Sequence, residues 1–548
     1  MKRSFTVIDL FCGAGGFSDG FIKAGFKVIK GYDNWERARE TISYNHPGVS
    51  TEGRDIIKLS KLPDKEFHKV FPDSDIIIGS PPCVAFSNSN RSGHADKTKG
   101  VRLLEAFFRV VARKKYKRCS ILKYWILENV PNSKKYINRE YSMSDLGLDL
   151  KKNPLKVIGE NSDIYNALVF HVPQRRSRFF CGDFPLPIRP KNNIEPISLA
   201  ELSVGYIQEQ LSKHVLSDPN WPSMGDYVNK EITDNSYTSF ISDWEYQEAK
   251  RQKQDKGYMG KMSLPERTDL PSRTVLAHQW DYSRREAIIY NGHEQGTFRA
   301  PTIRELATIM SFSLDYRFCG SSIAIKAKLI GNAVPPKMAY GFALAILKEQ
   351  GLRAKYLGKR SKIDHNGSNG YEFINLNGNL FQPKPEYNRT FTSPFTYHIP
   401  YLKIKQFRVE LTNKRKGLKD GIILFSPMIQ YSSGKKARVL KLNINNSLFD
   451  KIRIPITDRW RISRIVRKIN SHYQLQKNYC LTLSHRQING DIGPIELLES
   501  VKRILNEESY NRPNRYIEYQ SSDGMDFKIP YKIIAGYKIL KMIIKALK

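Results

Sequence analysis

The first 130 residues alternate short apolar runs with amphipathic stretches, which is the pattern of strands and helices in a parallel α/β layer. Residues 5–10 read as a strand that breaks into Phe11-Cys12-Gly13-Ala14-Gly15-Gly16-Phe17-Ser18, and Phe21, Ala24, Gly25 and Phe26 follow at helical spacing. Residues 27–32 form a second strand closing on Asp33-Asn34-Trp35, and residues 37–45 a second helix. A β-branched run from Asp75 stops at Gly79-Ser80-Pro81-Pro82. Residues 101–111 then set Leu103, Leu104, Phe107, Phe108 and Val111 on one helical face, and residues 120–127 are strand-like up to Glu128-Asn129-Val130-Pro131. This order predicts a doubly wound sheet whose ligand crevice lies at the C-terminal ends of the strands. Residues 339–347 predict a closing helix. Past residue 371, strand-like segments (422–425, 439–444) mix with helical ones (459–469, 495–505), the signature of an α+β domain.

Chemistry concentrates at the strand ends. The glycine-rich turn lets the backbone approach a ligand closely, and the helix N-terminus after it favours a negative group. Its spacing is not that of dinucleotide binders, so a tight strand-to-helix connection explains it equally well. Asp33 follows the glycines by about 20 residues, where doubly wound folds hold ribose hydroxyls. Cys83 sits just past a strand, held by two prolines and followed by a polar segment over residues 84–100. That is the arrangement of a nucleophile beside a movable flap, although a free cysteine more often packs as a small hydrophobe. Glu128 ends a neighbouring strand in the same crevice; a plain capping role is its simpler reading. Arg175, Arg176 and Arg178 interrupt a β-rich run and need an anionic or polar partner.

Composition adds a partner class. The 548 residues carry 89 Lys and Arg against 54 Asp and Glu, a net +35, and suffice for about three domains. Residues 351–548 hold 37 basic and 15 acidic residues, a net +22, against +13 for residues 1–350. Such an excess points to nucleic acid, because phosphate contacts release counterions. The six cysteines are scattered without metal or disulfide spacing, so a reducing cytoplasm and no metal are expected. The apolar segment at residues 5–10 is too short and too acidic at its end for a signal peptide and no apolar run reaches about 18 residues, so a soluble chain without membrane contact is expected.

Taken together, these motifs resemble the DNA (cytosine-5) methyltransferases of bacterial or phage restriction-modification type. The resemblance rests on Asp9-Leu10-Phe11-Cys12-Gly13-Ala14-Gly15-Gly16, Gly79-Ser80-Pro81-Pro82-Cys83, Glu128-Asn129-Val130 and Gln174-Arg175-Arg176-Ser177-Arg178. It continues through Pro271-Ser272-Arg273-Thr274, Thr302-Ile303-Arg304-Glu305-Leu306-Ala307 and Ile330-Gly331-Asn332-Ala333-Val334-Pro335-Pro336, in the family order. It implies a Rossmann-like S-adenosylmethionine-dependent methyltransferase domain, a small target-recognition domain and double-stranded DNA as substrate. Phe11, Gly13, Gly15, Gly16, Asp33, Asn34, Asp55, Ile56, Leu103, Asn332 and Ala333 are then expected around S-adenosyl-L-methionine. Cys83 is the expected nucleophile toward cytosine carbon 6, Glu128 the partner of N3 and Arg178 of O2, with Arg176 on the same face. Val84 departs from the Gln that many members carry there.

The resemblance divides the chain into a catalytic and cofactor-binding part (1–185), a target-recognition part (186–270) and the rest of the catalytic domain (271–350). A linker (351–370) and a basic C-terminal domain (371–548), which the resemblance does not cover, follow. A basic face of Arg459, Arg461, Arg464, Arg467 and Lys468 in that last domain suits DNA, or is simply solvated. A monomer beside a separate restriction endonuclease is expected. Three other readings share parts of the pattern: a methylase fused to a nuclease, a tRNA cytosine methyltransferase, and an inactive DNA-binding regulator.

Overall fold

A computed structural model describes residues 5–83, 85–86, 96–189, 198–255, 262–277, 288–354, 371–383, 385–413, 423–432, 438–440, 452–512, 514–521 and 524–548. Val84, most of the expected flap (87–95), the linker from residue 355 to 370 and the strand segment 441–444 lie outside them. The chain divides into two compact units. The first comprises Met1–Phe240 with Pro265–Gln382, and the second Ile241–Leu264 with Pro383–Lys548.

The first unit is built on a seven-stranded sheet. Its strands are β1 (Thr6–Leu10), β2 (Lys27–Tyr32), β3 (Ser50–Glu52), β4 (Ile76–Gly79), β5 (Tyr124–Asn129), β6 (Asp163–Asn166) and β7 (Ser177–Asp183), in the order β3-β2-β1-β4-β5-β7-β6. The first five run parallel, and β7 is antiparallel to both β5 and β6. This is a Rossmann-like, doubly wound arrangement, with the strand order reversing between β1 and β4. Strands β4 and β5 are buried along their whole length, as central parallel strands covered on both faces must be. Gly79 lets β4 end against its neighbour: a β-carbon there would lie 2.5 Å from the Leu10 carbonyl oxygen and 2.7 Å from Phe107.

Helix α1 (Gly16–Lys23) follows β1, and α2 (Glu36–Asn45) follows β2. Helix α3 spans Lys97–Lys115, longer than its apolar face predicts, because Asp96 caps the N–H groups of Thr98 and Lys99 and three basic residues suit its C-terminal end. Strand β5 starts later than expected, since Ser120 closes a turn by donating to the Lys114 carbonyl and accepting from Leu122 N–H.

Residues 371–381, expected in the C-terminal domain, fold back on the first unit. Strand β8 (Thr238–Ile241) pairs in parallel with β9 (Leu380–Phe381), and Phe373 bridges to Gly320. Asp234 and Lys326 form a fully buried ion pair at 2.8 Å, and the strap completes it: Leu376 N–H donates to Asp234 and Lys326 donates to the Ile374 carbonyl. A buried charge pair left without these partners is costly, which is why the strap belongs here. Helices α4 (Val204–Ser212), α5 (Asp243–Lys250), α6 (Ile323–Asn332) and α7 (Pro336–Glu349) follow along the chain, and α7 packs along α1.

The second unit is α+β. Among its described residues, a four-stranded antiparallel sheet, β10 (Thr396–Ile404), β11 (Phe407–Thr412), β12 (Ser426–Tyr431) and β13 (Arg438–Leu440), and a hairpin, β14 (Tyr516–Gln520) with β15 (Asp526–Pro530), accompany helix α5 and five helices from residue 456 onward. These are α8 (Ile456–Ile469), α9 (His472–Cys480), α10 (Leu483–Asn489), α11 (Pro494–Leu505) and α12 (Tyr531–Ala546). The apolar face of α12, with Ile533, Ile534, Leu540 and Ile543, fills the core against the sheet. The strand expected at 422–425 begins instead at Ser426. Helix α5, from the segment expected to recognise the target, packs into this unit: Tyr397 Oη donates to the Arg251 carbonyl at 2.7 Å. Among the described residues no helix is long and apolar enough to cross a membrane.

Candidate active site

The crevice opens where the strand order reverses, between the loops after β1 and β4. Ser80 N–H donates to the Leu10 carbonyl at 3.1 Å and Cys12 N–H to the Tyr32 carbonyl at 2.9 Å, so both loops leave the sheet together. Cys83 ends the Ser80-Pro81-Pro82 segment and is half-buried. On the adjoining strand, buried Glu128 accepts from Ser80 Oγ at 2.5 Å and pairs with Arg178 Nε at 3.1 Å. Asn129 donates to the Pro81 carbonyl at 2.9 Å, tying the strand end to the proline segment. Arg178 reaches Glu128 because β7 runs antiparallel beside β5, with Phe180 opposite Glu128. Sequence reasoning gave no role to Ser80 or Asn129; the signal was their place inside the two quoted motifs.

Burial pushes the Cys83 thiol above its ordinary range, Glu128 adds to this, and Arg178 and Arg176 oppose it. The cations therefore favour the thiolate against the cost of desolvation. Arg176 is set differently from Arg178. It is buried, and its terminal nitrogens donate to the carbonyls of Val275 (3.1 Å), Gly331 (3.1 Å) and Ala333 (3.0 Å). Only its Nε lacks a partner among the described residues. Burial lowers its pKa to about 9, and Arg178 adds to the shift. Arg176, expected beside Arg178 on the active-site face, thus ties its own segment to the segments of Val275 and of Gly331 and Ala333.

Beside the cysteine segment lies a cavity of about 340 Å³, lined by Phe11, Asp33, Asn34, Asp55, Ile56 and Leu103 among the expected cofactor residues. Pro82 and Ala85, on either side of Cys83, line it too, as do Arg54, Asp96, Lys99 and Gly100, which were not singled out in the sequence. Phe11 holds a positive φ of 62°, a strained conformation for a bulky residue and a mark of a functional loop. Asp33 accepts from Gly13 N–H at 3.0 Å and Trp35 N–H at 2.8 Å, which orients its carboxylate; burial raises its pKa and these bonds oppose the rise. Asp55 caps the short helix Ile56–Leu59 through Ile57 N–H.

Gly13, Gly15, Gly16, Asn332 and Ala333 are not among the described lining residues. Gly13 acts through Asp33. Gly15 and Gly16 serve packing: a β-carbon at Gly16 would lie 2.1 Å from the Val334 carbonyl oxygen, so the glycine lets the late segment dock on the turn. Ala333 is there to receive Arg176, and Asn332 is exposed at the end of α6. Two residues before Phe11, fully buried Asp9 accepts from Ser18 Oγ at 2.6 Å, and its other oxygen has no partner among the described residues. Burial raises its pKa to about 7.

The cavity suits an adenosine-bearing ligand. Phe11, Ile56, Ala85 and Leu103 give apolar surface on which a flat ring could lie, and Asp33 offers an oriented carboxylate able to accept hydrogen bonds from hydroxyl groups. A larger cavity of about 660 Å³ in the second unit mixes Arg251, Arg389 and Arg503 with Glu248, Glu386 and Glu499.

The model of the C-5 cytosine-specific DNA methylase family matches residues 5–348. The chain is 28% identical over 361 residues to type II methyltransferase M1.HphI of Haemophilus parahaemolyticus, covering 63% of this chain and 87% of that protein. It is 25% identical over 370 residues to M.MthTI of Methanothermobacter thermautotrophicus, covering 63% and 98%. With M.AquIA of Picosynechococcus it shares 32% identity over 212 residues, 35% of this chain and 81% of that protein. With the crevice, the carboxylate-bearing cavity and this match in agreement, the chain belongs to the C-5 cytosine-specific DNA methylases, which methylate cytosine carbon 5 in DNA using S-adenosylmethionine.

Proposed function

We propose that Cys83 is the nucleophile, Glu128 and Arg178 the groups that engage the target cytosine, and the Phe11–Asp33–Leu103 cavity the S-adenosylmethionine site. The observation that carries this reading is the Glu128–Arg178 pair beside the Cys83 segment, with the cavity adjoining it through Pro82 and Ala85. Carbon 5 of cytosine is a poor nucleophile. Addition of the Cys83 thiolate to carbon 6 makes it an enamine carbon. Glu128 at N3 and Arg178 at O2 drain the negative charge that develops in that addition. Asp33 would hold the ribose hydroxyls, and Phe11, Ile56 and Leu103 the adenine. When bound there, S-adenosylmethionine supplies an electrophilic methyl group. Loss of the carbon 5 proton then releases the thiol. The target is stacked in the duplex, so it must be flipped out, at about a few kcal/mol.

Of the expected target-recognition part, 186–270, residues 186–240 lie in the catalytic unit and are our candidate for base contacts, and the relatives' type II names support protection of DNA beside a separate restriction endonuclease. The test is a duplex carrying 5-fluorocytosine at the methylated position, located beforehand by bisulfite sequencing. The parent protein should form a denaturation-resistant DNA adduct that Cys83→Ala does not. An adduct that survives in Cys83→Ala would exclude this mechanism.

A further inference from the structure

Helix α8 in the second unit buries Asp458, Ile462, Ile465 and Ile469 and turns positions 456, 459, 460, 463, 464, 467 and 468 outward. Those seven positions hold Ile456, Arg459, Trp460, Ser463, Arg464, Arg467 and Lys468, four cations and no carboxylate. Arg461, at the edge of this face, is neutralised by Asp458 and Glu507; among the described residues Arg459, Arg464 and Arg467 form no ion pair.

A merely solvated face accounts for the arginines. It does not account for Trp460 at 64% and Ile456 at 73% exposure, one turn apart in the same stripe. Large apolar side chains held among unpaired cations suit a partner that is both polyanionic and able to cover apolar surface. The unit around the helix is strongly basic: 37 Lys and Arg against 17 Asp and Glu, a net +20. It also incorporates residues 241–264, from between the Arg178 and Pro271 motifs, so three chain crossings join it to the catalytic unit.

We propose that the outer face of α8 is a second double-stranded DNA contact. Arg459, Arg464 and Arg467 meet backbone phosphates, and Trp460 and Ile456 cover sugar and base edges in a groove. At 14 residues the helix is about 21 Å long, enough to follow a groove past several phosphates. A second contact on the same chain raises the effective concentration of DNA at the crevice without any new catalytic group. The inference rests on DNA as the substrate, which the family supplies.

The experiment uses the full chain and measures duplex DNA affinity across a salt series, without cofactor. Loss of three phosphate contacts in Arg459→Gln/Arg464→Gln/Arg467→Gln should lower the slope of log affinity against log salt by about 2.7, with at least about a tenfold loss near physiological salt. Trp460→Ala should weaken binding severalfold at an unchanged slope. Parent slope in the triple variant, the result also expected if the face serves an acidic protein, overturns the proposal, as does parent affinity in Trp460→Ala. All four side chains are exposed, so thermal midpoints should match the parent's. Adduct formation with 5-fluorocytosine duplex at low salt should persist in these variants. If the parent forms no adduct, the Cys83 chemistry fails, while the salt slopes still decide the α8 assignment.

Discussion

The crevice of the first unit and the α8 face of the second both carry arginines, held in opposite ways. In the crevice, Arg176 spends its terminal nitrogens on three carbonyls and Arg178 faces a buried carboxylate, so each cation has a fixed position and a perturbed neighbour. On α8 the arginines stand in solvent. A desolvated group with dictated partners alters the pKa of what it touches, as Arg178 and Arg176 do for Cys83, whereas a solvated one contributes salt-dependent attraction. Chemistry therefore requires the first kind of site, and polyanion capture tolerates the second.

The widest separation between the two regions should come from Cys83→Ala, which is expected to cut methyl transfer to below about a thousandth while DNA affinity is kept. Transfer assays paired with binding isotherms check both halves. Next, Glu128→Gln should lower kcat by about 10²–10⁴-fold. The same change should speed alkylation of Cys83, because the carboxylate raises the thiol pKa. Slower alkylation would break the electrostatic account.

A stability contrast follows. Leu376 on the strap is buried and Ile456 on α8 is exposed, so Leu376→Ala should cost about 2–5 kcal/mol in chemical denaturation. Ile456→Ala should stay within about 0.5 kcal/mol.

A pH-dependent contrast concerns Asp9. Its folded pKa of about 7 lies above the ordinary 3.8, so its unfolded form ionises first. The contribution is fully present below about pH 4 and is lost as pH rises through about 7. Asp9→Asn should gain thermal midpoint relative to the parent between pH 5 and pH 8. A gap independent of pH would mean that Asp9 is ionised throughout.

Much of the first unit was legible because each strand is a short apolar run ended by a turn former, and the crevice residues sit where those runs stop. The spacing of Asp33 after the glycines, the prolines before Cys83 and the Glu128 strand end identified what faces what, since strand ends in a parallel sheet share one edge. Side-chain direction was not legible. Nothing local showed that a carbonyl approaches Gly16 closely or that the Ala333 carbonyl accepts from Arg176. The first depends on Val334, more than 300 residues away in the chain, and the second on Arg176, 157 residues away.

By itself, then, the sequence determined the family, the parallel sheet and the set of polar groups at its edge, because these follow from local periodicity and short motifs. Only the tertiary structure decided which arginine faces Glu128 and which is locked to carbonyls. It alone attached residues 371–381 to the first unit and 241–264 to the second. Those outcomes depend on burying Asp234 with Lys326 and on filling the core around α12, long-range balances of desolvation and packing that no local pattern encodes.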